Sequence, residues 1–143
     1  MRFLLIFIIT PFIFFLSCAE KDVSDEKVLK KVIDEREWGR INRAKKAVKL
    51  YTQTADEYFR EGNYTGALEF YNKALVKLKY LKKLKHPRAG YIYEKMGDCY
   101  LKLGHNDTAM EAYQKAYNIY LKFYGENNKK VKQVLEKIRK TGS

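Results

Sequence analysis

The chain has 143 residues, with 29 Lys and Arg against 17 Asp and Glu, a formal net charge of +12. That length excludes more than one domain of ordinary size. A balance this basic points to nucleic acid, anionic lipid or an acidic protein surface as partner.

The first stretch differs in kind from the rest. Arg2 supplies one positive charge, and Phe3 to Leu16 is almost wholly apolar. A helix that spans a bilayer needs about 20 apolar residues. This run is shorter and carries Pro11 in its middle, which fits a secretory signal peptide over residues 1–17. The run closes on Phe15-Leu16-Ser17-Cys18, which resembles the lipobox of bacterial lipoproteins, with Leu one place closer to the cysteine than in the commonest pattern. The resemblance implies cleavage just before Cys18 and lipidation of its thiol, with a diacylglyceryl group and acyl chains such as palmitate. The competing reading is a cleaved leader with an incidental cysteine. Two or three chains anchor stably where one gives only marginal binding. Residues 18–24 would then be the lipidated cysteine and a short tether, at most about 20 Å long over Ala19 to Ser24 when extended. Export argues against nucleic acid as partner. With Cys18 acylated, Cys99 is the one cysteine left, so stability must come from packing without an internal disulfide.

From Val23 onward the apolar pattern is helical. Val28, Leu29, Val32 and Ile33 mark an amphipathic helix, with Ser24 or Asp22 as its cap and a break or bend at Gly39. Helix resumes from about Arg40 to Glu61. Gly62, Gly104 and Gly125 each follow a helical run, as glycine at a C′ position does. Asn63, and Asn106 or Asp107, are suitable caps for the helices that follow. Pro87 opens another helix, where its missing N–H costs nothing. About six helices and no strand are expected.

The sequence also repeats on itself. Shifted by 42 residues, Tyr51 falls on Tyr93, Ala55 on Gly97, Tyr58 on Tyr100 and Gly62 on Gly104. Further on, Ala67 falls on Ala109, Tyr71 on Tyr113, Lys73 on Lys115 and Ala74 on Ala116. Internal repetition of helix pairs is the mark of a solenoid. The small residues let two helices approach closely, and the tyrosines fill the space between successive pairs. These spacings resemble the tetratricopeptide repeat (TPR) family, most clearly in Tyr93-x2-Met96-Gly97-x2-Tyr100 followed by Ala109-x3-Tyr113-x2-Ala116. An ordinary TPR has about 34 residues; the longer period here is similar to repeats of the kinesin light chain type. The fold expected is an all-α, TPR-type helix-turn-helix solenoid. It comprises an N-terminal helix over 25–47, TPR 1 over 48–85, TPR 2 over 86–126 and a C-terminal capping helix over 127–143. Val28, Val32 and Trp38 are expected to cap one end of the stack, and Val131, Leu135 and Ile138 the other.

No catalytic constellation emerges, and no enzyme activity, cofactor or metal site is expected. His86 and His105 fall in turns, and no glycine-rich phosphate loop is present. Cys99, amid Met96, Tyr100 and Leu103, reads as packed and inert. In TPR proteins the first helix of each pair lines the groove. The resemblance places Lys49, Thr52, Gln53, Asp56 and Arg60 there, and then Tyr91, Glu94, Lys95, Asp98 and Lys102, as candidate contacts for a protein or peptide partner. An ordinary solvated face is the competing reading. The Lys/Asn arrangement by which chaperone-binding TPR proteins clamp a C-terminal carboxylate is not reproduced, because Thr52 and Asp56 occupy its first places. Lys82, Lys83, Lys85 and Arg88 form a basic run that either suits helix-end dipoles or meets anionic headgroups, at roughly 1 kcal/mol per residue. The function expected is a membrane-anchored scaffold for protein–protein interaction at the cell envelope, lipid-anchored at the outer membrane or facing the periplasm, with another envelope protein as partner. A part in outer-membrane protein assembly, or a surface-exposed role toward a host, are the alternatives.

Overall fold

The computed structural model describes the backbone of residues 10–142 and the side chains of residues 26–142. The leader over 1–17 and the lipidation site Cys18 therefore lie outside the residues whose side chains are described. Five helices account for the described backbone: α1 (Thr10–Arg60), α2 (Tyr64–Tyr80), α3 (Pro87–Lys102), α4 (Asn106–Tyr124) and α5 (Lys129–Thr141). No strand occurs among the described residues.

The helix count is one fewer than expected because α1 passes through Gly39 without a break. A glycine inside a helix costs about 1 kcal/mol relative to alanine, and the strong helix formers around it outweigh that. The same helix includes residues 19–24, the stretch read as a short tether, so neither Asp22 nor Ser24 stands at a helix start.

The chain forms two units, Met1–Arg40 and Ile41–Ser143. In the first, Val28 is 62 % exposed and Trp38 69 %. An ion pair between Lys30 and Glu26 (2.7 Å) spans one turn of this helix.

The second unit carries the repeat. Val48 and Ala55 on α1, and Ala67, Tyr71, Ala74 and Leu78 on α2, share one buried cluster with Ala89, Ile92, Met96 and Cys99 of α3. A second cluster joins Ala109, Tyr113, Ala116 and Tyr120 of α4 to Val131 and Val134 of α5. The C-terminal helix thus covers the end of the second pair, with Val134 more deeply buried than the flanking Leu135 and Ile138.

Close approach explains the small residues. A Cβ on Gly97 would lie 2.5 Å from the Tyr113 ring, and one on Gly90 would lie 2.6 Å from the Tyr120 ring. One repeat earlier the same places hold larger residues, Ala55 against Tyr71 and Val48 against Leu78. In the second of these pairs the larger residue on one helix is matched by a smaller one on the other, Leu78 where the next repeat has Tyr120.

The turns are built as the punctuation implies. Asn63 Oδ1 accepts the Gly66 N–H at 2.9 Å, and Asn128 Oδ1 accepts that of Lys130 at 2.9 Å. His86 and His105 are both N-cap residues, so the cap of α4 is His105, and Asn106 is the first helical residue. Gly62 and Gly104 take φ near +79° and +78° to close α1 and α3, where only glycine is unstrained. At the end of α2 the corresponding place is Lys82, at φ +54°.

Candidate functional site

The first helices of the pairs and the last helix are tied together by a polar ladder. The Tyr71 hydroxyl donates to Asp56 Oδ1 at 2.6 Å, and the Tyr113 hydroxyl donates to Asp98 Oδ1 at 2.8 Å. From the neighbouring helix α3, Tyr91 donates to both oxygens of Asp56 at 3.0 and 3.1 Å. On α5, the Lys137 ammonium lies 2.8 Å from Glu94 Oε1 and 2.8 Å from Asp98 Oδ1. Tyr120 completes the set by donating to Glu94 Oε2 at 3.2 Å. Asp56, Glu94 and Asp98, expected as partner contacts, thus have their carboxylates engaged within the chain. Residues that sequence pattern placed in a groove prove to be the pins between layers.

The ladder sets its own electrostatics. Burial and the neighbouring carboxylates push the Tyr71, Tyr91, Tyr113 and Tyr120 hydroxyls far above the usual tyrosine range, which keeps them neutral donors. For Lys137 burial works against the charge, but the hydrogen bonds to Asp98 and Glu94 outweigh it and raise the ammonium above its ordinary value. Cys99 is fully buried, and burial pushes its thiol up to about 12. Such a thiol is not poised as a nucleophile.

Beside this ladder opens a groove of about 430 Å³, walled by α1, α3, α4 and α5. Lys49, Thr52, Gln53 and Tyr91 line it, together with His86, Pro87, Arg88, Tyr124 and Lys130. A smaller cavity of about 160 Å³ shares His86 and Arg88 and adds Lys45 and Lys83. Among the described residues no carboxylate lines either space. Arg88, read in the sequence as part of a run toward headgroups, thus lines the same space as Lys49, and Lys83 of that run lines the smaller one with Lys45. Lys82 and Lys85 are exposed and line neither space. Arg60, Lys95 and Lys102 also lie outside them; Lys95 sits over the Phe59 ring at 5.1 Å.

A third space, about 760 Å³ between α3 and α5, mixes signs: Lys129, Lys132 and Lys140 alternate with Glu94 and Glu136. No helix of the described residues is long and apolar enough to cross a membrane. No group of three or more His, Cys, Asp or Glu side chains that could hold a metal occurs among them.

The polar ladder escaped the pattern. The ladder joins residues 15 to 43 positions apart, beyond the reach of helical periodicity. Its signal was nevertheless in the repeat, since Asp56 and Tyr71 recur together as Asp98 and Tyr113. Comparison with family models matches the Tetratricopeptide repeat over residues 49–122, which runs from the groove lysine of α1 to the last turn of α4. Comparison with curated proteins finds no match.

Proposed function

The chain belongs to the tetratricopeptide repeat family, and from that premise we propose that it is a lipid-anchored scaffold that holds a protein partner at the cell envelope. TPR modules generally mediate protein–protein interaction, and the groove is the observation that carries the reading here. It is a concave surface with cationic, amide and phenolic groups on rigid helices, and among the described residues it has no metal cluster beside it. Preformed polar groups on an ordered frame suit recognition of an extended segment, because little entropy is lost in arranging them.

The sites divide accordingly. Lys49, Thr52, Gln53 and Tyr91 contact the partner, while Asp56, Glu94 and Asp98 hold the helices that present them. The anchor is Cys18, on the strength of the Phe15-Leu16-Ser17-Cys18 lipobox. Lipid-anchored at the outer membrane or facing the periplasm, the module would sit within reach of other envelope proteins; outer-membrane protein assembly and a surface role toward a host are narrower versions.

Three experiments test this. Cys18→Ala should release the protein from membranes on fractionation, and unchanged retention would refute the anchor. Protease shaving of intact cells should spare a periplasmic protein and degrade a surface one. Chemical crosslinking in cells, followed by mass spectrometry, should return a specific partner; its absence would undercut the scaffold.

A further inference from the structure

Two contiguous spaces share His86 and Arg88, and around them stand Lys45, Lys49, Lys83 and Lys130. Lys45 and Lys49 are one turn apart on α1, a like-charge spacing that weakens a helix. Neither Lys49 nor Arg88 has a carboxylate within ion-pairing distance among the described residues, whereas Lys73 and Lys95 have one each and Lys137 has two. Lys49 and Arg88 both stand beside a concave space that no carboxylate among the described residues lines. Low-dielectric walls focus such a field and raise the local concentration of anions. His86 Nδ1 accepts the Arg88 N–H at 3.2 Å, which places the ring proton on Nε2, as a further donor.

We propose that this groove docks an acidic segment of the partner, a short run of Asp and Glu side chains that pair with Lys49, Arg88 and Lys130. The inference rests on the scaffold reading and adds to it the chemistry of the bound segment. Charge complementarity gives the sign of the ligand. The shape favours peptide over membrane: the cations come from α1, α3 and α5 around a cleft, so a flat bilayer would meet only its rim. Gln53 is exposed at the same cleft and offers its amide to a peptide backbone. Tyr124 and Pro87 supply apolar wall for the stems of the acidic side chains.

The test uses the full chain in neutral detergent and fluorescence anisotropy with a labelled ten-residue peptide of alternating Glu and Ser. Its Gln counterpart and vesicles with and without an anionic lipid are the comparison probes. The Glu peptide should bind and the Gln peptide should not. Lys49→Glu with Arg88→Glu should weaken binding by about tenfold or more, and raised salt should weaken it in the parent chain. Lys79→Glu with Lys122→Glu makes the same change of charge on exposed residues outside the groove, and should stay within about twofold. Equal loss in both double variants would overturn the proposal, by showing attraction to net charge alone. So would the absence of Glu-peptide binding. Binding of anionic vesicles that needs Lys49 and Arg88 and outcompetes the peptide would overturn it in favour of headgroups. Circular dichroism on every variant separates lost binding from lost fold. The two readings fail separately: a partner crosslinked through a non-acidic segment keeps the scaffold and removes the acidic ligand. Peptide binding with no partner in cells does the reverse.

Discussion

Tyr71 donates its hydroxyl to Asp56 at 2.6 Å, and Tyr113 does the same to Asp98 at 2.8 Å one repeat later. The aromatic that fills the space between helix pairs is thus also the donor that fixes its register, through a carboxylate on the first helix. A hydrogen bond to a charged group contributes about 1.5–3 kcal/mol. Tyr71→Phe and Tyr113→Phe should each lower stability by roughly that amount, read as a lower urea midpoint with an unchanged slope. Unchanged midpoints would mean that the ring, and not the hydroxyl, does the holding.

Gly97→Ala would set a methyl 2.5 Å from a ring that is 1 % exposed and tethered at its hydroxyl. The ring cannot swing away, so a loss of about 1–3 kcal/mol is expected. Adding Tyr113→Leu to it should recover part of the loss; a pair that is simply additive would contradict the contact.

Lys82 holds the left-handed place that glycine holds at positions 62 and 104. Its N–H donates to Lys79 O at 2.9 Å, and that of Lys83 donates to Leu78 O at 2.8 Å, the bonding pattern of a Schellman turn. A side chain there costs about 1–2 kcal/mol. Lys82→Gly should therefore raise the thermal midpoint, and a fall would show that the lysine makes a contact worth more than its strain.

Alkali should unfold the module early. The buried hydroxyls of Tyr71, Tyr91, Tyr113 and Tyr120 titrate above their unfolded value of 10.0. The Lys137 ammonium likewise titrates above 10.5. In both cases the native state holds protons that the unfolded chain has released. Their stabilisation is complete below pH 10 and falls as pH rises beyond it, by about 1.4 kcal/mol per pH unit for each fully affected group. Tyrosinate absorbance near 295 nm should show these residues ionising together with loss of helix. Lys137→Met should make the decline shallower.

The fold was legible because its physics is local and repeated. Alanines and glycines facing tyrosines at a fixed offset, with turn glycines between, specify helix pairs without any knowledge of distant contacts. Gly39 misled because one glycine is a small cost to a long helix. At the site, the TPR resemblance pointed to Lys49, Thr52 and Tyr91, which line one groove. It could not show that Asp56, Glu94 and Asp98 are held by hydroxyls and an ammonium from other helices. Nor could it show that the first turn of α3 carries Arg88 to the side of Lys49, or that the α2–α3 turn carries Lys83 to the side of Lys45. Those facts depend on how helices stack.

The central claim is that the groove beside Gln53 receives a partner. A photo-crosslinking residue at Gln53, compared with one at Lys79 outside the groove, tests this directly in growing cells, with the adducts identified by mass spectrometry. The account predicts a specific protein adduct from position 53 that is missing from position 79, joined through a segment rich in Asp and Glu. No adduct from position 53, or the same adducts from both, would contradict it.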